Sequence, residues 1–427
     1  VTLYLHRAER TDVLADGLGD LLAVPPDDPF AEELVVVPAK GIERWLSQRL
    51  SHRLGAAPGG GDGVCAGVQF ASPRSLVSAV LGITGDDPWA PDAMAWPLLA
   101  VLDDSLDQAW CEPVARHLGH FDTGSEAELR RGRRYAVAAR LARLFAAYAV
   151  QRPAVLTDWS AGRNTDGLGN IIDDDLTWQP ELWRRLVDRI DAPPPTVRHA
   201  ETIAQLREQP ESLELPARLS LFGHTRLPLT EIELLSALAE HRDVHLWLPN
   251  PSGVLWERLQ GATAGERACD VTHQQAEHPL LATLGRDSRE LQLSLAAVPS
   301  VDSHLPSPTT PDTLLGWLQH DLRNNTSAVA GRQLASGDRS VQVHACHGTA
   351  RQVDVLREVL LGMLQADPTL EPRDILVMCP DIETYAPLIS ARFGLGDLHQ
   401  NGHPAHQLRV QLADRSLTQT NPLLGVA

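Results

Sequence analysis

A chain of 427 residues, 43% hydrophobic and 22% charged, is long enough for about two to four domains with cores of their own and excludes a disordered or fibrous protein. Its 37 Lys and Arg against 55 Asp and Glu leave a net charge of −18, the wrong sign for a surface that attracts nucleic acid everywhere, so any such contact must be local, in a lined groove. No stretch reaches the ~20 apolar residues of a membrane span, and the opening VTLYLHRAERTDVL reads as strand and polar turn rather than signal peptide, which places the chain in the cytoplasm. The five cysteines, Cys65, Cys111, Cys269, Cys346 and Cys379, are odd in number, far apart and never spaced CxxC, so they read as reduced, buried thiols.

Leu3 to His6 is apolar and extended, and Thr11 stands where it would cap a helix with Val13, Leu14, Leu18 and Leu21 on its apolar face. The run ELVVVP (Glu33 to Pro38) suits a strand buried on both faces, and Gly41 to Leu54 has helical spacing through Ile42, Trp45, Leu46, Leu50 and Leu54. Two successive strand–helix units predict a parallel sheet. AAPGGGDG (56–63) is a flexible loop. From about 86 to 215 long helical stretches predominate, the clearest from Glu126 to Val150, where Leu129, Ala136, Leu141, Leu144, Phe145 and Tyr148 can share a face. Alternation resumes with the strand Leu219 to Phe222, a helix capped by Thr230 with Glu233, and the strand Val244 to Leu248.

Residues 297–312 (AVPSVDSHLPSPTTPD) lack periodicity and make the best linker candidate. A fresh α/β unit then begins: strand Ser340 to Ala345, a capping box of Thr349 and Gln352 before a helix through Leu364, strand Ile375 to Met378, and helix Ile382 to Phe393. The ending NPLLGVA looks like the start of a further helix, from which the natural protein is expected to continue. The expected organisation is α/β, with a first sheet domain split between 1–85 and 216–335, a helical insertion at 86–215, a linker region within 297–338 and the start of a second α/β domain at 339–427.

Several chemistries are excluded. A nucleotide-binding P-loop needs GxxxxGK[ST], because glycine amides wrap the phosphates and a lysine neutralises them. Lys40 is the sole lysine, and the first strand–helix turn, His6 to Asp12, contains no glycine. A motor would carry an acidic pair after the strand LSLF; here stand Gly223, His224 and Thr225, with no carboxylate for magnesium. His344, Cys346 and His347 lie close in sequence, but no second cluster at ligand spacing completes a tetrahedral set. Asp173, Asp174 and Asp175 are consecutive and cannot converge on one point, so they read as solvated loop charge.

The phrases DDPFAEELVV (27–36), GIERWLSQRLSHRLG (41–55), AYAVQRPAVLTDW (ending at Trp159), NPLL (421–424) and, above all, the segment from His344 to Gly394 beginning HACHGTARQVDVLREVL, resemble the RecC family, the gamma subunits of exodeoxyribonuclease V. AddB-type subunits share the architecture and are the nearest competitor. The resemblance implies superfamily 1 helicase-like (RecA-like parallel sheet) domains whose motor motifs have decayed. It also implies a non-catalytic role beside RecB and RecD, with ATP and magnesium used by those partners and no cofactor or metal in this chain. Its DNA would be a duplex end and the strand ending 3′, which it channels and scans. Matched position by position, the scanning residues are Pro38, Lys40, Arg44, Ser72, Ser78, Arg143, Leu144, Ala146 and Arg152; Leu144 and Arg152 keep the residue type of members that recognise Chi. A pure assembly scaffold without DNA contact is the alternative role.

The residues themselves add one further feature. Arg130, Arg131, Arg133, Arg134, Arg140 and Arg143 cluster beside Tyr135 and Tyr148, which suits a groove for a single strand; they equally suit a solvated helix balanced by Glu126 and Glu128. Trp45 and Trp159 lie among apolar residues and read as core.

Overall fold

The computed structural model describes residues 2–394, without 27, 29, 56–62, 84, 263, 264 and 266, together with 407–410 and 412. The loop expected at 56–63 and the ending NPLLGVA fall largely outside the described residues. The chain divides into two bodies: residues 1–38, 46–309 and 321–328 form one, and 39–45, 310–320 and 329–427 the other.

The first body is built on a parallel sheet. Its strands are β1 (Thr2–Ala8), β2 (Glu33–Val36), β3 (Val68–Ala71), β4 (Arg218–Phe222), β5 (Asp243–Pro249) and β6 (Val301–His304), in the order β3-β2-β4-β5-β1-β6. The central strands are largely buried because helices cover the sheet, as all-parallel sheets require; every residue of β2 is buried. Helix α1 (Thr11–Leu22) follows β1, α2 (Lys40–Ser51) follows β2 and α3 (Pro73–Val80) follows β3. Gly17 lets α1 approach the sheet: a Cβ there would lie 2.9 Å from the Trp247 ring. Beneath it the rings of Tyr4, His245, His6 and Trp247 stack across β1 and β5, with His6 Nε2 3.0 Å from His245 Nδ1.

Between β3 and β4 lies the helical insertion: α4 (Pro91–Asp103), α5 (Glu112–His117), α6 (Ser125–Arg131), α7 (Arg134–Gln151), α8 (Pro153–Ser160), α9 (Trp178–Arg189) and α10 (Pro195–Glu208). Its own core gathers Phe145, Trp183, Trp159, Trp89 and the leucines of α4 and α9, so Trp159 is core as expected. Side chains of α10 tie the insertion to α11 (Leu229–Ala239), through His199 to Glu233 and Arg207 to Glu240, both at 2.9 Å. Four more helices complete the body's second half: α12 (Gly253–Arg258), α13 (Pro279–Leu284), α14 (Arg286–Leu295) and α15 (Leu314–Arg323), the last shared with the other body. In the second body α16 (Gly348–Ala366) and α17 (Ile382–Ser390) pack through Val353, Ile389 and Phe393.

Several expectations are corrected. The expected strands at 340–345 and 375–378 are not strands. Backbone N–H and C=O groups of a strand need a neighbouring strand, none is offered among the described residues of this body, and Val343 is 93% exposed. Thr11 does not cap α1; Arg10 is the N-cap and makes no side-chain capping bond. Neither capping box forms: Thr230 lies inside α11 and donates to Val150 O at 3.3 Å, and the N-cap of α16 is His347 while Gln352 accepts from the Tyr385 hydroxyl. The helix expected from Glu126 to Val150 breaks at Gly132 and Arg133 into α6 and α7, leaving Leu129 and Ala136 exposed. Strand β3 was unanticipated, and β6 lies inside the segment read as linker. Of the five cysteines, Cys111 is buried while Cys269 is exposed.

Candidate nucleic-acid interface

Strand order places a switch point at the carboxyl edge of the sheet, since the connection from β2 leads outward to β3 and that from β4 leads the other way to β5. Parallel sheets bind ligands in such crevices, and phosphates at the helix N-terminus after β1. Here that N-terminus is already occupied by the chain's own carboxylates. Asp12 accepts from Val13 N at 3.0 Å and from the Arg10 guanidinium, and the hydrogen bond from Arg10 holds its carboxyl below the ordinary value. Glu9 accepts from His304 and Ser307, both at 2.6 Å. Burial pushes Glu9 up, but bonds from Ser307, its own backbone N–H and His304 outweigh it and keep the carboxylate ionised. A phosphate arriving here would meet two anions and no glycine amides.

At the end of β4, Gly223 takes a left-handed conformation (φ 77°) and His224 turns inward. His224 is 4% exposed, neither ring nitrogen has a hydrogen-bond partner among the described residues, and burial pushes its pKa down to about 4. It is a neutral imidazole at the end of β4 and offers no carboxylate there. Among the described residues no group of three or more His, Cys, Asp and Glu is placed to hold a metal ion; His344 and His347 are both exposed.

The nine residues matched to a scanning site fall into three settings. Pro38 and Ser72 are neighbours at the carboxyl ends of β2 and β3, where Val37 N donates to Ala71 O at 3.0 Å. Both are exposed, but the Ser72 hydroxyl already caps α3 by accepting from Ser75 N at 3.1 Å. Ser78 is half-buried within α3. Lys40 and Arg44 lie on the exposed first turns of α2, Lys40 paired with Glu43 at 2.7 Å; they belong to the other body. The remaining four surround α7. Leu144 and Ala146 are half-buried against the helical core, whereas Arg143 and Arg152 are exposed. Arg143 Nε donates only to Ala139 O within its own helix, at 3.1 Å, and Arg152 donates to Asp166 O at 2.9 Å.

Between Leu129 and Thr157 the sequence has seven arginines and no Asp or Glu, within a chain of net charge −18. Three of the seven are engaged close by: Arg130 pairs with Asp122 and Arg134 with Asp103, both at 2.8 Å, while Arg131 donates to the Gly119 and Asp122 carbonyls. Arg133, Arg140 and Arg143 meet no carboxylate among the described residues. The helical repeat sets Ala136, Arg140, Arg143 and Ala147 on one side, opposite the buried Ala138, Leu141, Ala142 and Phe145. Small alanines between arginines leave that face open to a polyanion. At its far end Val150 O accepts from Thr230, which brings α7 to the carboxyl edge of the sheet. Tyr148 is part of the helical core, its hydroxyl on Gln179 at 3.2 Å; Tyr135 is exposed and lies 5.0 Å from the exposed Trp96 ring. Arg133 and Arg140, part of the arginine cluster read from the sequence, are not among the nine matched positions.

No helix among the described residues is long and apolar enough to cross a membrane. The profile of the family described as RecC, N-terminal domain, matches residues 3–325. Over its whole length the chain is 62% identical to the RecBCD enzyme subunit RecC of Mycobacterium tuberculosis and 60% identical to that of Mycolicibacterium smegmatis. Over 99% of its length it is 29% identical to the RecBCD enzyme subunit RecC of Escherichia coli. It spans 39%, 38% and 40% of those relatives respectively, so the match concerns one part of a longer protein. The chain belongs to the RecC family and carries its N-terminal domain.

Proposed function

We propose that this chain is the strand-handling, non-hydrolytic part of a RecBCD-type enzyme acting in recombinational repair, a helicase-like fold used as a channel for DNA rather than as a motor. The observation that carries this reading is the carboxylate-free side of α7, where Arg140 and Arg143, with Arg133 at the helix start, meet no counter-ion among the described residues. Arginines spaced along a helix can hold the phosphates of a single strand without reading its bases. The carboxylates at the start of α1 and the neutral His224 after β4 argue against ATP hydrolysis by this chain. On this reading RecB and RecD supply ATP and magnesium chemistry, the complex works in the cytoplasm, and the DNA is a duplex end whose 3′-ending strand passes α7. Pro38, Lys40, Arg44, Ser72, Ser78, Arg143, Leu144, Ala146 and Arg152 are the proposed contacts, joined by Arg133 and Arg140.

A photo-crosslinking residue at Ala147, in the full-length protein assembled with RecB and RecD, tests this directly. A 3′ overhang should be captured there, and a crosslinker at buried Leu141 should capture none. A complex that binds the duplex end yet gives no adduct at Ala147 contradicts the reading.

A further inference from the structure

The loop between α8 and α9 is built for a different purpose from α7. Residues 164–172 fold back on themselves: Asp166 N donates to Asn170 O at 3.0 Å and Ile172 N to Asn164 O at 3.2 Å. The turn is fastened to the helices beneath it, through Trp159 Nε1 to Thr165 O at 2.9 Å and Arg184 Nη1 to Asn164 Oδ1 at 3.1 Å. Gly167, at φ 83°, seats it against α8, where a Cβ would lie 2.8 Å from Val155 N.

This braced turn holds two aliphatic side chains into solvent, on either side of Gly169 and Asn170. Leu168 is 62% exposed and Ile171 84% exposed. Two aliphatic side chains presented this way, three residues apart on one fastened turn, contribute little to the chain's own fold, and apolar exposure rimmed by polar residues is a feature of interaction sites. Because the turn is ordered beforehand, docking loses little conformational entropy. Asp173, Asp174 and Asp175 follow at once, all exposed, and none pairs with a cation among the described residues. Three adjacent carboxylates repel a phosphate backbone. They complement a protein surface whose apolar pocket is rimmed by lysine or arginine.

We propose that the 164–175 turn is a docking knob: Leu168 and Ile171 enter an apolar pocket on a neighbouring protein subunit, and Asp173 to Asp175 face its basic rim. The proposal rests on the reading that the chain works as a subunit of a RecBCD-type assembly, and commits its occupant to protein rather than nucleic acid.

The test uses the full-length protein with purified RecB and RecD. In the wild type, amides of 166–172 should gain hydrogen-exchange protection on assembly. The Leu168→Ser/Ile171→Ser variant should keep its melting temperature yet assemble at least about 30-fold more weakly, as loss of two central apolar contacts does. Replacing Asp173, Asp174 and Asp175 with asparagine should weaken assembly at low salt and little at high salt. Wild-type affinity in the serine variant, with the turn unprotected on assembly, overturns the knob alone. Protection by a 3′-ended strand instead of by protein overturns it too. Failure of the wild-type chain to assemble with RecB and RecD would overturn the subunit reading and the knob with it.

Discussion

Replacing His224 with leucine should leave the protein about as stable at neutral pH and make it markedly less sensitive to acid. His224 is 4% exposed and neither imidazole nitrogen finds a hydrogen-bond partner among the described residues. A buried polar group left unpaired costs about 1–3 kcal/mol, so an apolar side chain of similar size offsets its imperfect fit by removing that cost. The pH effect has a definite sign. Burial lowers the folded pKa to about 4, below the unfolded value of about 6.5. As the pH falls past the unfolded value, the unfolded chain takes up a proton that the folded chain refuses. The contribution is therefore intact above pH about 6.5 and is lost progressively as the pH falls toward 4. Within that window each histidine contributes about 1.4 kcal/mol per pH unit, or about 2 kcal/mol between pH about 6.5 and 5. His245, also lowered to about 4 by burial, follows the same course, and burial lowers His6 in the same direction. Urea unfolding at several pH values and constant ionic strength, followed by tryptophan fluorescence, measures the difference. His224→Leu should lie within about 1 kcal/mol of wild type near neutrality, where removal of the unpaired group and misfit oppose each other. It should lose about 2 kcal/mol less than wild type on going down to pH about 5. A variant that is much weaker at neutral pH and keeps the wild-type pH dependence would refute the reasoning, because it would mean that His224 makes bonds of its own.

Two further substitutions test the cores. Phe145 is fully buried, 5.5 Å from the Trp183 ring and 6.5 Å from that of Trp159, so Phe145→Ala should cost the helical insertion about 3–5 kcal/mol, seen as an early unfolding step by limited proteolysis; unchanged protease resistance would count against this core. Arg7 pairs with Asp302 at 2.6 and 3.0 Å and lies 4.5 Å from the Trp256 ring; Arg7→Ala should lower stability by about 3 kcal/mol, and a loss below about 1 kcal/mol in urea would show that solvent compensates the stranded carboxylate.

The sequence made the sheet legible where strands are buried: β2 is a near-continuous apolar run, and β1, β4 and β5 carry leucine or valine at alternate positions. It hid β3, whose four residues Val68–Ala71 sit at the sheet edge and carry no long apolar signal. It hid β6 as well, because Val301–His304 is polar, sits at the opposite edge and is flanked by prolines. The segments at 340–345 and 375–378 failed in the opposite sense, since apolar character predicts a strand but cannot supply the neighbour a strand needs. Cap motifs misled because Thr230 and Gln352 found tertiary partners instead of the helix N-termini beside them. One lysine and a turn without glycine predict no phosphate cradle after β1. That Glu9 and Asp12 fill that turn, and that His224 after β4 is buried with no hydrogen-bond partner among the described residues, is visible only in the structure. Near α7 the family match gave Arg143 and Arg152, while the arginine cluster in the sequence had already included Arg140, which the structure sets beside Arg143 on the exposed side of the helix.

The central claim is that the exposed face of α7 holds the backbone of a single strand. The most direct measurement is the salt dependence of 3′-strand binding by the assembled full-length complex, wild type against Arg133→Ala/Arg140→Ala/Arg143→Ala. Each lost phosphate contact on a single strand makes the plot of log affinity against log salt shallower by about 0.7. The triple variant should therefore bind more weakly at low salt and lose about 2 from the slope. Equal slopes and equal affinities would contradict the account.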